Sequence, residues 1–167
     1  MKPAAASKPN LDNCAGKERN REMEKINLNQ TGLKLLLEEL DLSNINDQLI
    51  LLMAKTGIRY TEAAAVTPAD LDLEKGLLNI NKTWRDGSFY PVKDAASLRT
   101  IKTGSELAGQ FSGLLRDKPG DMPIFGQCEM STVNDRLKVH CKRIGIPFIS
   151  VHTLRHTFYQ PEHQLAL

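Results

Sequence analysis

Thr56-Gly57-Ile58-Arg59-Tyr60-Thr61-Glu62-Ala63 is the stretch on which the reading of the fold turns. Just before it, Asp47 to Lys55 is apolar on nearly every side, which predicts a mostly buried helix with caps from Ser43-Asn44-Ile45-Asn46. Gly57 can adopt positive φ and end that helix. A second helix is predicted from Tyr60 or Thr61 to about Val66, with Pro68 stopping it. Arg59 then stands at the mouth of this helix. Glu62, three residues on, is within reach of its guanidinium. Alone, such a pair is structural more often than functional.

Working outward, Leu33, Leu36, Leu37 and Leu40 repeat at i, i+3, i+4 and i+7, the stripe of an amphipathic helix starting near Thr31. Residues Met1 to about Leu28 hold Pro, Ala, Asn and Ser and then the mixed-charge run Lys17-Glu18-Arg19-Asn20-Arg21-Glu22, which reads as a solvated tail or linker. Downstream of the quoted stretch the period changes. Leu77–Trp84, Ser88–Lys93 and Leu98–Lys102 have strand character, and Asp86-Gly87 is a turn signal, so a small three-stranded antiparallel sheet is expected. Helical pattern returns beyond Thr103, with Leu107, Phe111, Leu114 and Leu115 on one face and Pro119-Gly120 as a break. Ser131 is the expected N-cap of a helix over Thr132–Arg143, with Val133, Leu137 and Cys141 as its inner stripe. One more helix is expected from Val151 to about Tyr159. The result is an α+β domain, mostly α.

The chain has 167 residues, 41% hydrophobic and 25% charged, a size and balance suited to one globular domain. The longest apolar run, near Leu49–Ala54, is too short for a membrane span, and the N-terminus lacks the apolar stretch of a secretory signal. Cys14, Cys128 and Cys141 are odd in number and scattered, which disfavours a disulfide framework or a structural zinc site and suits a cytoplasmic setting. A net charge of +2 and a pI near 8.4 permit nucleic-acid binding without demanding it.

Two further islands carry chemistry. Lys93 lies in Pro91-Val92-Lys93-Asp94-Ala95-Ala96-Ser97-Leu98-Arg99, on a turn of the predicted sheet, where a lysine is ordinarily a solvated charge. In Val151-His152-Thr153-Leu154-Arg155-His156-Thr157-Phe158, His152 and Arg155 share one face of a helix.

In this order the islands resemble the tyrosine recombinase, or phage integrase, family. Its hallmarks are a TGxRxxE motif, a lysine on a β-turn and an HxLRH motif, and the resemblance runs from about Gln30 to Phe158. It implies a catalytic domain that exchanges DNA phosphodiesters by attack of a tyrosine on phosphorus, with a 3′-phosphotyrosyl intermediate and a free 5′-hydroxyl. Arg59 and Arg155 would clamp the non-bridging oxygens, as two forks that stay charged at any relevant pH can do. Lys93 would protonate the departing 5′-oxygen, and His152 would bond the phosphate or handle the nucleophile's proton. Glu62 and His156 would support them. Lys82, Arg85, Arg99 and Lys102 are candidate DNA contacts. Neither a metal nor another cofactor is implied.

The chain departs from the family beyond Arg155. The second His or Trp and then the tyrosine belong to later segments, and the closing stretch from Tyr159 to Leu167 does not match them. Pro161 would break the helix, and His163 falls too early. Tyr159 lies one helical turn past Arg155 and is not expected to be the nucleophile. The expectation is therefore a domain over residues 29–158, with tails at 1–28 and 159–167, that keeps the clamp but not the attacking tyrosine. Expected partners are duplex DNA, bound through its backbone, and other protomers, either copies of this chain or full-length recombinase; no membrane is involved. The alternative is a non-catalytic DNA-binding or subunit-interaction module.

Overall fold

The computed structural model describes residues 28–93, 95–116 and 118–160. Apart from Leu28, the predicted N-terminal tail lies outside the described residues, as do Pro161 and His163 of the C-terminal stretch.

The fold is built on one buried helix. Helix α1 spans Gln30–Glu39, and the side chain of its N-cap Asn29 accepts from the Gly32 N–H at 2.8 Å. Its leucine stripe faces inward, with Leu36 wholly buried and Leu33 and Leu37 partly so. Helix α2, Ile45–Thr56, begins at Asn44, whose carboxamide oxygen accepts from Asn46 N–H at 3.0 Å. Six consecutive side chains, Leu49 to Ala54, are buried. A helix apolar all round must be covered all round, and α2 packs against three others, described below.

Gly57 ends α2 with φ 64°, its N–H donating to Met53 O at 2.8 Å. The chain turns through Ile58 and Arg59 into the short helix α3, Tyr60–Ala64. A 3₁₀ turn at Pro68–Asp70 leads into the sheet region.

That region holds an antiparallel sheet, but with different members from those expected. Strands β1 (Leu71–Asp72), β2 (Leu77–Ile80) and β5 (Arg99–Lys102) form one sheet in the order β1-β2-β5, with Leu78 opposite Ile101 and Ile80 opposite Arg99. Strands β3 (Lys82–Arg85) and β4 (Ser88–Pro91) form a separate hairpin closed by Asp86-Gly87. The expected strand Leu77–Trp84 breaks at Asn81, whose side-chain amide donates to Asp70 Oδ1 at 3.1 Å. Asp70, almost fully buried, also takes the Thr67 N–H at 2.9 Å, the Thr67 hydroxyl at 2.7 Å and the Lys82 ammonium. Binding both Asn81 and Lys82 to one buried carboxylate turns the chain out of the first sheet.

Helix α4 spans Gly104–Leu115 and buries Leu107 and Phe111. The Phe111 ring meets Phe125 edge to face, with centroids 5.9 Å apart. Helix α5 spans Met130–Ile144 and buries Val133, Leu137 and Cys141. Its N-cap is Glu129, not Ser131, which falls inside the first turn. Helix α6, Val151–Phe158, starts from Ser150, whose hydroxyl accepts from Thr153 N–H at 3.3 Å. Helices α3, α5 and α6 are the ones laid against α2. No helix among the described residues is long and apolar enough to cross a membrane.

Candidate phosphate-binding site

The contact between α6 and the end of α2 sets the site. Phe158 packs against Gly57, so closely that a Cβ at residue 57 would overlap its ring. One helical turn earlier, Arg155 lies beside the same turn and its guanidinium donates to the Gly57 carbonyl. The Arg155 guanidinium also lies 4.8 Å from the centroid of the Tyr159 ring, a cation–π stack.

Arg59 leaves that turn as the N-cap of α3. Its backbone N–H donates to Glu62 Oε2 at 2.9 Å and its Nη1 donates to Oε1 at 3.0 Å. The Glu62 side chain is 1% exposed while that of Arg59 is 55% exposed, so the carboxylate is sealed beneath a guanidinium whose outer face is open. Arg99 reaches the same carboxylate from β5, with Nη2 to Oε2 at 2.8 Å and Nη1 to Oε1 at 3.2 Å. Burial is the strongest influence on Glu62 and would raise its pKa. The Arg99 guanidinium and the Arg59 N–H outweigh it and hold the carboxyl below its ordinary value.

Arg59 is shared by two adjoining cavities. One, of about 210 Å³, is lined by Arg59, Thr61, His152, Arg155 and His156 among others. The other, of about 310 Å³, is lined by Arg59, Glu62, Arg85, Lys93 and Ser97. His152, His156 and Lys93 are exposed, and Lys93 sits on the loop between β4 and the 3₁₀ turn Ala95–Ser97. Two arginines and two histidines thus border one space, and a lysine borders the next. Arg59 and Arg155 present their donors in a form suited to a phosphate's oxygens.

Of the remaining predicted contacts, Arg85 lines the Lys93 cavity and the others lie outside both cavities. Lys82 is engaged by Asp70 and only 25% exposed, so its charge is already matched. Arg99 is spent on Glu62. Arg85 lies 5.0 Å from the centroid of the Tyr90 ring on the hairpin, and Lys102 is exposed at the end of β5. Thr61, which lines both cavities, was not singled out by sequence reasoning, because a threonine inside TGxRxxE carries no charge signal.

No protein-family model and no curated relative matches the sequence. Solved structures do. The Tn1549 transposon integrase in complex with transposon right end DNA matches with TM-score 0.64 and 19% identity, over 80% of this chain and 52% of that one. XerA recombinase matches with TM-score 0.60 and 21% identity, over 80% and 48%. The XerH site-specific recombinase bound to its difH substrate matches with TM-score 0.53 and 20% identity, over 79% and 41%. This chain spans about half the length of the solved structures it matches. This chain has the fold of the tyrosine-recombinase catalytic domain.

Proposed function

We propose that this chain is the phosphate-clamping part of a site-specific DNA recombinase that cuts and rejoins DNA through a 3′-phosphotyrosyl intermediate. The observation that carries the reading is the meeting of Arg59 and Arg155 at one cavity, although the Arg155 side chain bonds a carbonyl 98 residues away in sequence. The exposed Arg59 and the half-buried Arg155, both beside His152, provide for the non-bridging oxygens of one phosphate. When a phenol oxygen forms its bond to phosphorus, the bond to the 5′-oxygen breaks and that oxygen needs a proton. Lys93, across Arg59 in the adjoining cavity, is the donor in this reading.

None of the three tyrosines of the 167 residues serves as the nucleophile. Tyr60 donates its hydroxyl to the Cys128 carbonyl, and burial first of all pushes its pKa up. Tyr90 is stacked under Arg85 on the hairpin. Tyr159 lies against Arg155 itself, so it would approach phosphorus from the clamp's own side and not in line with the leaving oxygen. The 167-residue chain accordingly binds DNA weakly and through the backbone, and pairs with other protomers by the apolar groove that Leu33, Leu37, Leu42, Leu51 and Phe158 line.

The test uses duplex DNA over a range of salt. Arg59→Ala and Arg155→Ala are each expected to flatten the plot of log affinity against log salt by about one unit. With a nicked suicide substrate, no band that survives denaturation is expected from the chain alone. Unchanged slopes in both variants would remove the clamp, and an adduct lost in Tyr159→Phe would make Tyr159 the nucleophile. Concentration-dependent sedimentation, suppressed by Leu42→Glu, checks the pairing.

A further inference from the structure

We infer that Arg99 is a positioning residue of the clamp, which holds Glu62 and offsets its charge so that Arg59 stays aimed and its pull on a phosphate is not cancelled, and that it is not itself a DNA contact. The inference rests on the phosphate-clamp reading of Arg59.

Geometry first separates Arg99 from a DNA-facing arginine. Its Nη2 donates to Glu62 Oε2 at 2.8 Å, and its Nη1 divides between Glu62 Oε1 at 3.2 Å and the Ser97 carbonyl at 3.1 Å. The fork is therefore turned into the protein, and its side chain is 25% exposed against 55% for Arg59. Every oxygen of the Glu62 carboxylate is shared: Oε1 takes one N–H from each guanidinium, and Oε2 takes Arg99 Nη2 and the Arg59 backbone N–H. Four donors shared between two oxygens restrain this carboxylate from rotating.

Charge gives the second argument. Arg59 and Glu62 by themselves sum to zero, and a carboxylate 3.0 Å from the clamp guanidinium would cancel most of its pull on a phosphate. Adding Arg99 returns the group to a net single positive charge, with the open side of Arg59 the nearest exposed donor. A lysine could supply the charge but not the two-point grip, because its ammonium is a point charge on a flexible stem.

The third argument is connection. Ser97 is the last residue of the Ala95–Ser97 turn that follows Lys93, and it lines the cavity shared by Lys93 and Arg59. Arg99 thereby ties the Lys93 loop to the carboxylate that fixes Arg59. One side chain sets the relation between the two.

The test has an arm in the free protein and an arm with DNA. In the free protein, the Arg59 side-chain N–H resonance, identified by its loss in Arg59→Lys, is followed in Arg99→Lys and Arg99→Gln. It is expected to shift and broaden while core methyl resonances stay in place. With random-sequence duplex, Arg99→Gln is expected to weaken binding about fivefold in the otherwise native chain, but less than about twofold in a Glu62→Gln background. Should Arg99→Gln fail to fold, Arg99→Lys carries the same comparison. An Arg59 resonance indifferent to Arg99 overturns the inference. So does an equal loss in both backgrounds with the salt slope flattened by about one unit, which would make Arg99 a phosphate contact. If the native chain binds no DNA, the clamp reading fails, while the resonance of Arg59 still decides whether Arg99 positions it.

Discussion

Gly57 meets two demands at once, a φ of 64° and a Phe158 ring lying where a Cβ would stand. Left-handed backbone costs a residue with a Cβ about 1–2 kcal/mol, and here the Cβ would also overlap the Phe158 ring, which would have to shift. Gly57→Ala is therefore expected to destabilise the chain by about 2 kcal/mol or more, read as a lower urea midpoint. Because the Gly57 carbonyl also accepts from Arg155, surviving folded protein should bind DNA less tightly than the native chain. At this scale the sequence was informative where partners are close. The spacing of Arg59 and Glu62 announces their pair, since N-cap and N3 residues of a helix face each other. Arg99 meets the same carboxylate from 37 residues away, and Lys82 meets Asp70 from 12, with sheet turns between. Both lysine and arginine therefore read as free surface charges, which nothing local contradicts.

Among the elements, α2, α5 and α1 are joined by a charged contact inside an otherwise apolar interface. Asp47 in the first turn of α2 is fully buried, and both its oxygens are taken by Arg136 of α5, Nε to Oδ1 at 2.9 Å and Nη2 to Oδ2 at 2.5 Å. His140 Nε2 lies 3.0 Å from Oδ2, and the Asp41 N–H donates to the same oxygen at 3.0 Å. Arg143, also on α5, pairs separately with Glu39 at the end of α1 at 3.0 Å. Removing one partner of a buried, hydrogen-bonded pair typically costs about 3–5 kcal/mol, most of it from the charge left behind. Arg136→Ala, which strands the fully buried Asp47, should accordingly fall near that range by urea denaturation, whereas Arg143→Ala, at an exposed pair, should cost under about 1 kcal/mol. Helix stripes such as Leu33-Leu36-Leu37-Leu40 were legible because their period is a property of the segment itself. The strand Leu71–Asp72 was not, since two residues carry no period, and the break at Asn81 depends on a carboxylate eleven residues earlier. The Asp47–Arg136 pair escaped for the same reason: each residue sits in a plausible solvated position until the helices are packed.

Among the described residues of the whole molecule, three buried carboxylates stand at three separate junctions: Asp47 between α2 and α5, Glu62 beneath α3 and β5, and Asp70 between the sheet and the hairpin. For each, burial is the strongest influence and favours the neutral acid. Arg136 at Asp47, Arg99 at Glu62 and Lys82 at Asp70, with neighbouring N–H donors, outweigh it and leave the folded-state pKa below the ordinary value. Unfolded Asp and Glu titrate near about 3.9 and 4.3. A group whose pKa is lower in the folded state binds fewer protons there, so stability rises with pH wherever the unfolded chain is the more protonated. The contribution of all three is thus complete above about pH 5 and is lost as pH falls below about 4 and through the folded values. Urea midpoints measured downward from pH 5 should drop steeply below about pH 4. Glu62→Gln and Asp70→Asn should each begin from a lower midpoint at pH 5 and descend less steeply, because one titrating group has been removed from the difference. A native chain whose midpoint is as high at pH 3 as at pH 5 would mean that these carboxylates gain nothing from their cationic partners. The electrostatic account of Glu62, and with it the neutralisation that keeps Arg59 available for a phosphate, would then fail.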